Sequence, residues 1–266
     1  MTTTIALAGK GGTGKTTIAA LLIRYLVEER RGAILAIDAD PASNLNFVLG
    51  MDVEQTVGDI REEMLNLVQS SGALAGSMPG GMSKQEYLDY HIQMALEEGE
   101  RVDLLAMGRP EGPGCYCAAN QMLRVIVDRI EKQYEYVVID NEAGMEHLSR
   151  RTTRDVDVLL LVTDPTQRGL IAAQRMRDMV PELDIGVSHV YLVVNRVRPV
   201  GEQLDLPAPL AEAVERAGLE LLEMVPDDPA MAEFEFTGRP LVELPADTAV
   251  NEAVRRIARR ILTNGG

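Results

Sequence analysis

The chain has 266 residues, 46% of them apolar, and a net charge of −15. That length suits one large domain with a real core, set against a norm of roughly 100–200 residues per domain. Its acidity speaks against a broad electrostatic grip on nucleic acid, and no apolar run approaches the ~20 residues of a membrane span.

Met1 and three threonines lead straight into the first strand-like run, Ile5 to Ala8, leaving no room for a signal peptide. With only two cysteines, one residue apart, a disulfide framework is also excluded. A cytoplasmic protein is expected. The first strand enters Gly9-Lys10-Gly11-Gly12-Thr13-Gly14-Lys15-Thr16, which satisfies the G-x-x-x-x-G-K-[ST] phosphate-loop pattern and adds a second lysine, Lys10, near its start. Thr17 follows, and Ile18, Leu21, Leu22, Tyr25 and Leu26 then recur at helical spacing. Strand, glycine loop and helix in that order are what phosphate binding requires. Glycines let backbone N–H groups curl around phosphate oxygens, and the helix N-terminus contributes its positive dipole end. Lys15 is placed to neutralise the β and γ phosphates, and the Thr16 hydroxyl to ligate Mg²⁺. A nucleoside triphosphate with Mg²⁺ is the expected ligand.

Ala33 to Ile37 reads as a second strand, ending in Asp38-Ala39-Asp40-Pro41. Ser70 to Met82 is rich in glycine and serine and reads as a surface loop. It ends in Ser83-Lys84-Gln85-Glu86, a capping-box pattern that opens a polar helix carrying His91. Val102 to Met107 is a third strand. Further strands follow at Tyr136 to Ile139, Val158 to Val162, Val190 to Val194 and Leu219 to Val225, with helical stretches such as Leu123 to Ile130 and Leu170 to Met179 between them. Several of these strands are unbroken apolar runs, as buried parallel strands are. The pattern predicts one α/β domain over residues 1–266, a doubly wound, mostly parallel sheet with helices on both faces and its site at the carboxyl ends of the strands.

Acids collect at those ends. Asp140 closes the strand Tyr136 to Ile139, the position from which a Walker-B acid reaches the Mg²⁺ shell, and Gly144 supplies freedom for a switch segment. Asp38 and Asp40 end the second strand. A strand-terminal aspartate often does no more than begin a turn, especially before Pro41. Three of them converging on the edge that carries the phosphate loop argue for catalysis.

Lys10 together with Asp38-Ala39-Asp40-Pro41 resembles the deviant Walker-A ATPases, the superfamily of MinD, ParA, the arsenite-pump ATPase and the nitrogenase iron protein. The resemblance covers nearly the whole chain. It implies that Lys10 crosses a homodimer interface to the partner's nucleotide, that Asp40 orients the attacking water, and that Asp38 supports it. It further implies that Asn195-Arg196 and Pro226-Asp227 form two adenine-facing loops, so that ATP and ADP are the nucleotides bound. A lysine supplied in trans makes hydrolysis contingent on dimerisation, as an arginine finger does elsewhere.

Both cysteines lie in Gly108-Arg109-Pro110-Glu111-Gly112-Pro113-Gly114-Cys115-Tyr116-Cys117, ahead of a helix expected near Ala118. A helix N-terminus lowers thiol pKa and favours the thiolate that metals require. Two thiolates cannot complete a tetrahedral site, but two protomers about a two-fold axis supply four. Soft sulfur suits Zn, Fe–S centres and Ni; the alternative is two small residues at a tight turn. The segment is similar to that of the CooC family, the nickel-insertion ATPases of carbon monoxide dehydrogenase, whose relatives serve acetyl-CoA synthase. This resemblance implies an ATP-dependent nickel chaperone that assembles a shared Cys115/Cys117 site on dimerisation, with Ni²⁺ (or Zn²⁺) held there and apo carbon monoxide dehydrogenase or acetyl-CoA synthase as client.

Two other readings stay open: an iron–sulfur carrier or reductase, and a MinD/ParA-like positioning ATPase. The second draws on Ala249 to Leu262, where Val250, Val254, Ile257 and Ile261 share one helical face and four arginines crowd the other. Docking of that helix on the sheet, with its arginines solvated, is the expectation. His91, His147 and His189 lack partners at ligand spacing and are read as solvated or structural. Met122 is read as core.

Overall fold

The structure, a computed structural model, describes residues 2–29, 31–41, 44–70, 81–108, 125–144, 155–182, 186–199 and 204–264. Among these, the strands are β1 (Thr3–Ala8), β2 (Ile34–Ala39), β3 (Leu96–Glu98), β4 (Val102–Ala106), β5 (Tyr136–Asn141), β6 (Asp155–Thr163), β7 (Gly186–Val197) and β8 (Leu221–Pro226). They form one sheet in the order β3-β4-β2-β5-β1-β6-β7-β8. Every pairing is parallel except β3 with β4.

The unbroken apolar runs are explained by two cores. Successive side chains of a strand point to opposite faces. Ala6, Ala8, Leu35, Ile37, Val137, Ile139, Leu159 and Leu161 therefore enter one core, while Ile5, Leu7, Ile34, Ala36, Val138, Leu160 and Val162 enter the other. Helices cover both faces. On the first lie α3 (Val57–Ser70) and α4 (Lys84–Met94), α5 (residues 125–131), and α6 (Gln167–Met179) and α7 (Ala208–Ala217), through residues such as Ile60, Leu88, Ile126, Leu170 and Val214. On the second lie α1 (Lys15–Glu28), α2 (Leu45–Leu49), α8 (Pro229–Thr237) and α9 (Ala249–Asn264), through Ile18, Leu45, Phe234 and Ile257.

The capping box is formed: Ser83 Oγ accepts from Glu86 N at 3.2 Å and Glu86 Oε2 accepts from Ser83 N at 2.7 Å. α9 is docked, with Val250, Val254, Ile257 and Ile261 all buried. Its arginines face outward: Arg256 Nε pairs with Glu223 at 3.1 Å, and Arg255 pairs with Glu28. No helix of the described residues is long and apolar enough to cross a membrane.

The structure adds one strand to those predicted. β3 is Leu-Glu-Glu at the sheet edge, too short and charged to show a period, which is how edge strands avoid pairing with other chains. Ser70, expected to open a surface loop, is instead the last residue of α3, and residues 71–80 of the expected loop lie outside the described set.

Candidate active site

The phosphate loop follows β1 because its glycines are required there. A Cβ on Gly9 would lie 2.2 Å from the Val162 carbonyl oxygen of β6, and one on Gly14 would lie 2.2 Å from Asn195 Nδ2. Gly12 and Gly14 take φ values of 78° and 91°. Left-handed residues between right-handed ones turn successive amides towards one side, the geometry of an anion nest. Side chains hold the loop's carbonyls. Lys10 O accepts from Thr13 Oγ1 at 2.9 Å and Lys15 Nζ at 3.4 Å. Thr13 O accepts from Asn195 Nδ2 at 2.8 Å, and Gly12 O from Arg196 Nη1 at 3.1 Å. The Lys10 side chain is exposed.

Sheet order brings the acids to this loop. β2 and β5 are neighbours, with Asp38 opposite Asp140, and β5 also pairs with β1, placing Leu7 opposite Asp140. Thr16 Oγ1 donates to Asp140 Oδ2 at 2.6 Å. The other oxygen, Asp140 Oδ1, is buried without a partner among the described residues. Burial pushes the Asp140 carboxyl up to about 7, against the Thr16 hydrogen bond, with Asp38 adding repulsion. An orphaned carboxylate oxygen beside a hydroxyl is a donor set that fits a hard divalent cation such as Mg²⁺. Lys15 is lowered by burial, an effect opposed by the charges of Asp140, Asp40 and Glu142.

Asp38 is fully buried, and both of its oxygens are taken by the backbone. Oδ1 accepts from Asp40 N at 3.1 Å and Oδ2 from Leu45 N at 3.0 Å. Burial raises its carboxyl to about 6 despite those bonds. Asp38 thus turns the chain from β2 into α2 and holds the backbone of Asp40, whose own side chain is half-buried.

The chain that leaves β5 meets the loop at Gly144. Gly144 takes φ 109°, and its N–H donates to Gly9 O at 3.2 Å. Asn141 Nδ2 donates to Leu7 O at 2.9 Å, tying the end of β5 to β1. Asn141 and Glu142 were not singled out in the sequence; their only signal is adjacency to Asp140.

Thr17, Asn195, Arg196, Pro226 and Asp227, from the two segments expected to face adenine, line one small cleft. The loops are joined by Asp227 N donating to Val197 O at 2.9 Å. Met231 and Glu235 of α8 complete the cleft; nothing in their local spacing announces this.

Cys115, Cys117, Met122 and His147 lie outside the described residues. Met107, which follows β4, is held at the same sheet edge as Asp38: Met107 N donates to Asp38 O at 2.8 Å and Gly58 N to Met107 O at 2.9 Å. His91 packs against Tyr87 with ring centroids 4.1 Å apart, and His189 stacks on Tyr191 at 5.9 Å.

Together, the phosphate loop, the Thr16–Asp140 pair and the cleft beside them define a P-loop nucleotide hydrolase. Residues 4–242 match the CobQ/CobB/MinD/ParA nucleotide binding domain. The chain belongs to this family and is an ATPase. It is 45% identical to an uncharacterised ATP-binding protein of Methanocaldococcus jannaschii, over 97% of this chain and 98% of that one. It is also 29% identical to the carbon monoxide dehydrogenase accessory protein CooC of Rhodospirillum rubrum, over 90% of this chain and 89% of that one. Its fold is similar to that of the septum site-determining protein MinD of Pyrococcus horikoshii complexed with Mg-ADP, with a TM-score of 0.67 and 22% identity, covering 100% of this chain and 98% of the other.

Proposed function

We propose that this ATPase is a nickel chaperone, using ATP to assemble and open a thiolate site shared by two protomers and to deliver nickel to apo carbon monoxide dehydrogenase or acetyl-CoA synthase. The observation that carries the reading is the place of the cysteine pair in the sequence, on the segment that leaves β4. In the sequence Cys115 and Cys117 come nine and eleven residues after Ala106, the last residue of β4, and Met107, which follows that strand, is hydrogen-bonded to Asp38, the residue that holds Asp40. The similarity to CooC supports the same reading.

In this reading Thr16 and Asp140 hold Mg²⁺, which when bound neutralises charge on the β and γ phosphates. Lys15 meets the same phosphates from within the loop. Asp40 orients the attacking water, and Asp38 acts through Asp40, both its oxygens being engaged. Lys10, exposed at the loop, reaches the partner's nucleotide, so turnover depends on the homodimer. Asn195, Pro226 and Asp227 face the adenine. Four thiolates from two protomers bind Ni²⁺, or Zn²⁺ at the same place, as cargo. The docking of α9, with its apolar face buried, favours a cytoplasmic role over binding to a lipid surface.

The test is the metal content of the anaerobic protein after exposure to nickel, or to iron with sulfide. About one Ni per dimer, lost in Cys115→Ala, supports the shared site. About four Fe with matching sulfide per dimer overturns it in favour of an iron–sulfur carrier.

A further inference from the structure

Among the described residues, Arg196 is the one non-glycine residue with positive φ, at 59°. An L side chain in the left-handed region costs free energy, and such residues persist where their surroundings hold them for a purpose. Here the surroundings are explicit. Asn195 Oδ1 accepts from Arg196 N at 2.9 Å, closing the turn. The two side chains of this turn then reach two adjacent carbonyls of the phosphate loop: Asn195 Nδ2 holds Thr13 O at 2.8 Å and Arg196 Nη1 holds Gly12 O at 3.1 Å. Glu235 lies 3.8 Å from Arg196 Nη2 and steadies the other edge of the guanidinium. The turn ends β7, which is separated from β1 by β6, so the clasp reaches across a strand to a loop that is remote in sequence.

Holding a carbonyl also aims an amide. A peptide unit is planar and trans, so its C=O and N–H point in opposite directions. Fixing Gly12 O orients Thr13 N–H, and fixing Thr13 O orients Gly14 N–H. Gly12 has nothing within 4 Å of where its Cβ would be, so side-chain packing does not restrain it. Among the described residues, Thr13 N–H has only a long 3.4 Å bond to Lys10 O, which a phosphate oxygen would replace.

We propose that Arg196 is a positioning residue for the phosphates, acting by clamping the Gly12 carbonyl so that the loop amides are aimed before nucleotide arrives, rather than a reader of the base. The clamp serves any ligand that carries the phosphate chain, whatever its base. On this reading Arg196 serves the phosphates rather than the adenine, while Asn195, Pro226 and Asp227 face the base.

The test compares the parent with Arg196→Ala and Arg196→Gly. Amide hydrogen exchange of a peptide spanning residues 9–16 is measured without nucleotide, and affinities for Mg-ATP and for Mg-tripolyphosphate, which has no base, are measured by calorimetry. The clamp predicts faster loop exchange in both variants and a loss of about tenfold in affinity for both ligands, the size of one charge-assisted hydrogen bond. Arg196→Gly relieves the left-handed strain, so its melting temperature is not lowered although its loop is loosened; it also serves if the alanine variant fails to fold. Unchanged loop exchange overturns the proposal, because the arginine would then act on the ligand directly. A loss confined to ATP returns Arg196 to base recognition.

Discussion

Thr16 Oγ1 donates to one oxygen of Asp140 at 2.6 Å while the other oxygen of that carboxylate is buried with no partner among the described residues. The pair is a half-satisfied donor set in which burial raises the Asp140 carboxyl to about 7. A cation there would favour the ionised form, so binding of Mg-nucleotide must expel a proton near neutrality.

Affinity for Mg-ATP is therefore expected to be flat above neutrality and to fall by about tenfold between pH 8 and pH 6, as the carboxyl centred near 7 takes up its proton. Asp140→Asn should remove that pH dependence together with most of the Mg²⁺ requirement. Calorimetry at several pH values in buffers of different ionisation enthalpy measures both the affinity and the released proton. A pH-independent affinity in the parent would count against this role for Asp140.

The same raised values govern stability without ligand. Asp38 and Asp140 hold protons in the folded chain, at about 6 and about 7, where an ordinary aspartate near 3.8 has already released them. The folded state thus binds more protons over that interval, so its stability falls as pH rises from about 4 to about 7 and is flat beyond. The nucleotide-free protein is expected to melt higher at pH 5.5 than at pH 8 as far as these two groups decide it, and Asp140→Asn should flatten the trend. Calorimetric melting across that range measures it.

Asp38 and Asp40 should separate by phenotype. Asp40→Ala removes a half-buried side chain and should slow turnover by about 100-fold while ATP-driven dimerisation survives. Asp38→Ala strips the acceptor from two backbone N–H groups, those of Asp40 and Leu45, and should also cost about 2 kcal/mol of stability. Steady-state hydrolysis and chemical denaturation on both variants distinguish them. Unchanged hydrolysis in Asp40→Ala would remove it from the mechanism.

Lys10→Ala is expected to abolish ATP-driven dimerisation yet leave monomer stability within about 0.5 kcal/mol, because the side chain is exposed. Nucleotide binding by the monomer should persist, since Lys15 remains in the loop. Analytical ultracentrifugation with ATP and with ADP reads the outcome, and equal dimer formation by variant and parent would refute the trans role.

Gly9→Ala puts a methyl 2.2 Å from the Val162 carbonyl oxygen. Backbone cannot yield as a flexible side chain does, so β1 and β6 must part at the loop. A destabilisation of about 2 kcal/mol with loss of ATP affinity is expected, measurable by thermal melts with and without Mg-ATP.

Much of this was legible in local spacing. Strand, glycine loop and helix over Ile5 to Leu26, the buried strands, the capping box at Ser83 and the amphipathic C-terminal helix all rest on interactions within a few residues, and those leave a period or a motif in the chain. Even the acids at strand ends could be placed on the right edge, because parallel strands share one carboxyl end. β3 left no such mark, being three residues of an exposed edge. What required the fold was adjacency between distant segments. Asp38 stands opposite Asp140 only because β2 pairs with β5, and Arg196 meets Gly12 only because β7 lies one strand removed from β1. Met231 and Glu235 enter the cleft only because α8 packs beside it. Those adjacencies follow from which faces bury together across the whole sheet, a balance no short stretch of residues carries. Residue type and spacing therefore predicted the chemistry of the loop, while the packing of strands far apart in sequence set which carbonyls, carboxylates and amides meet around it.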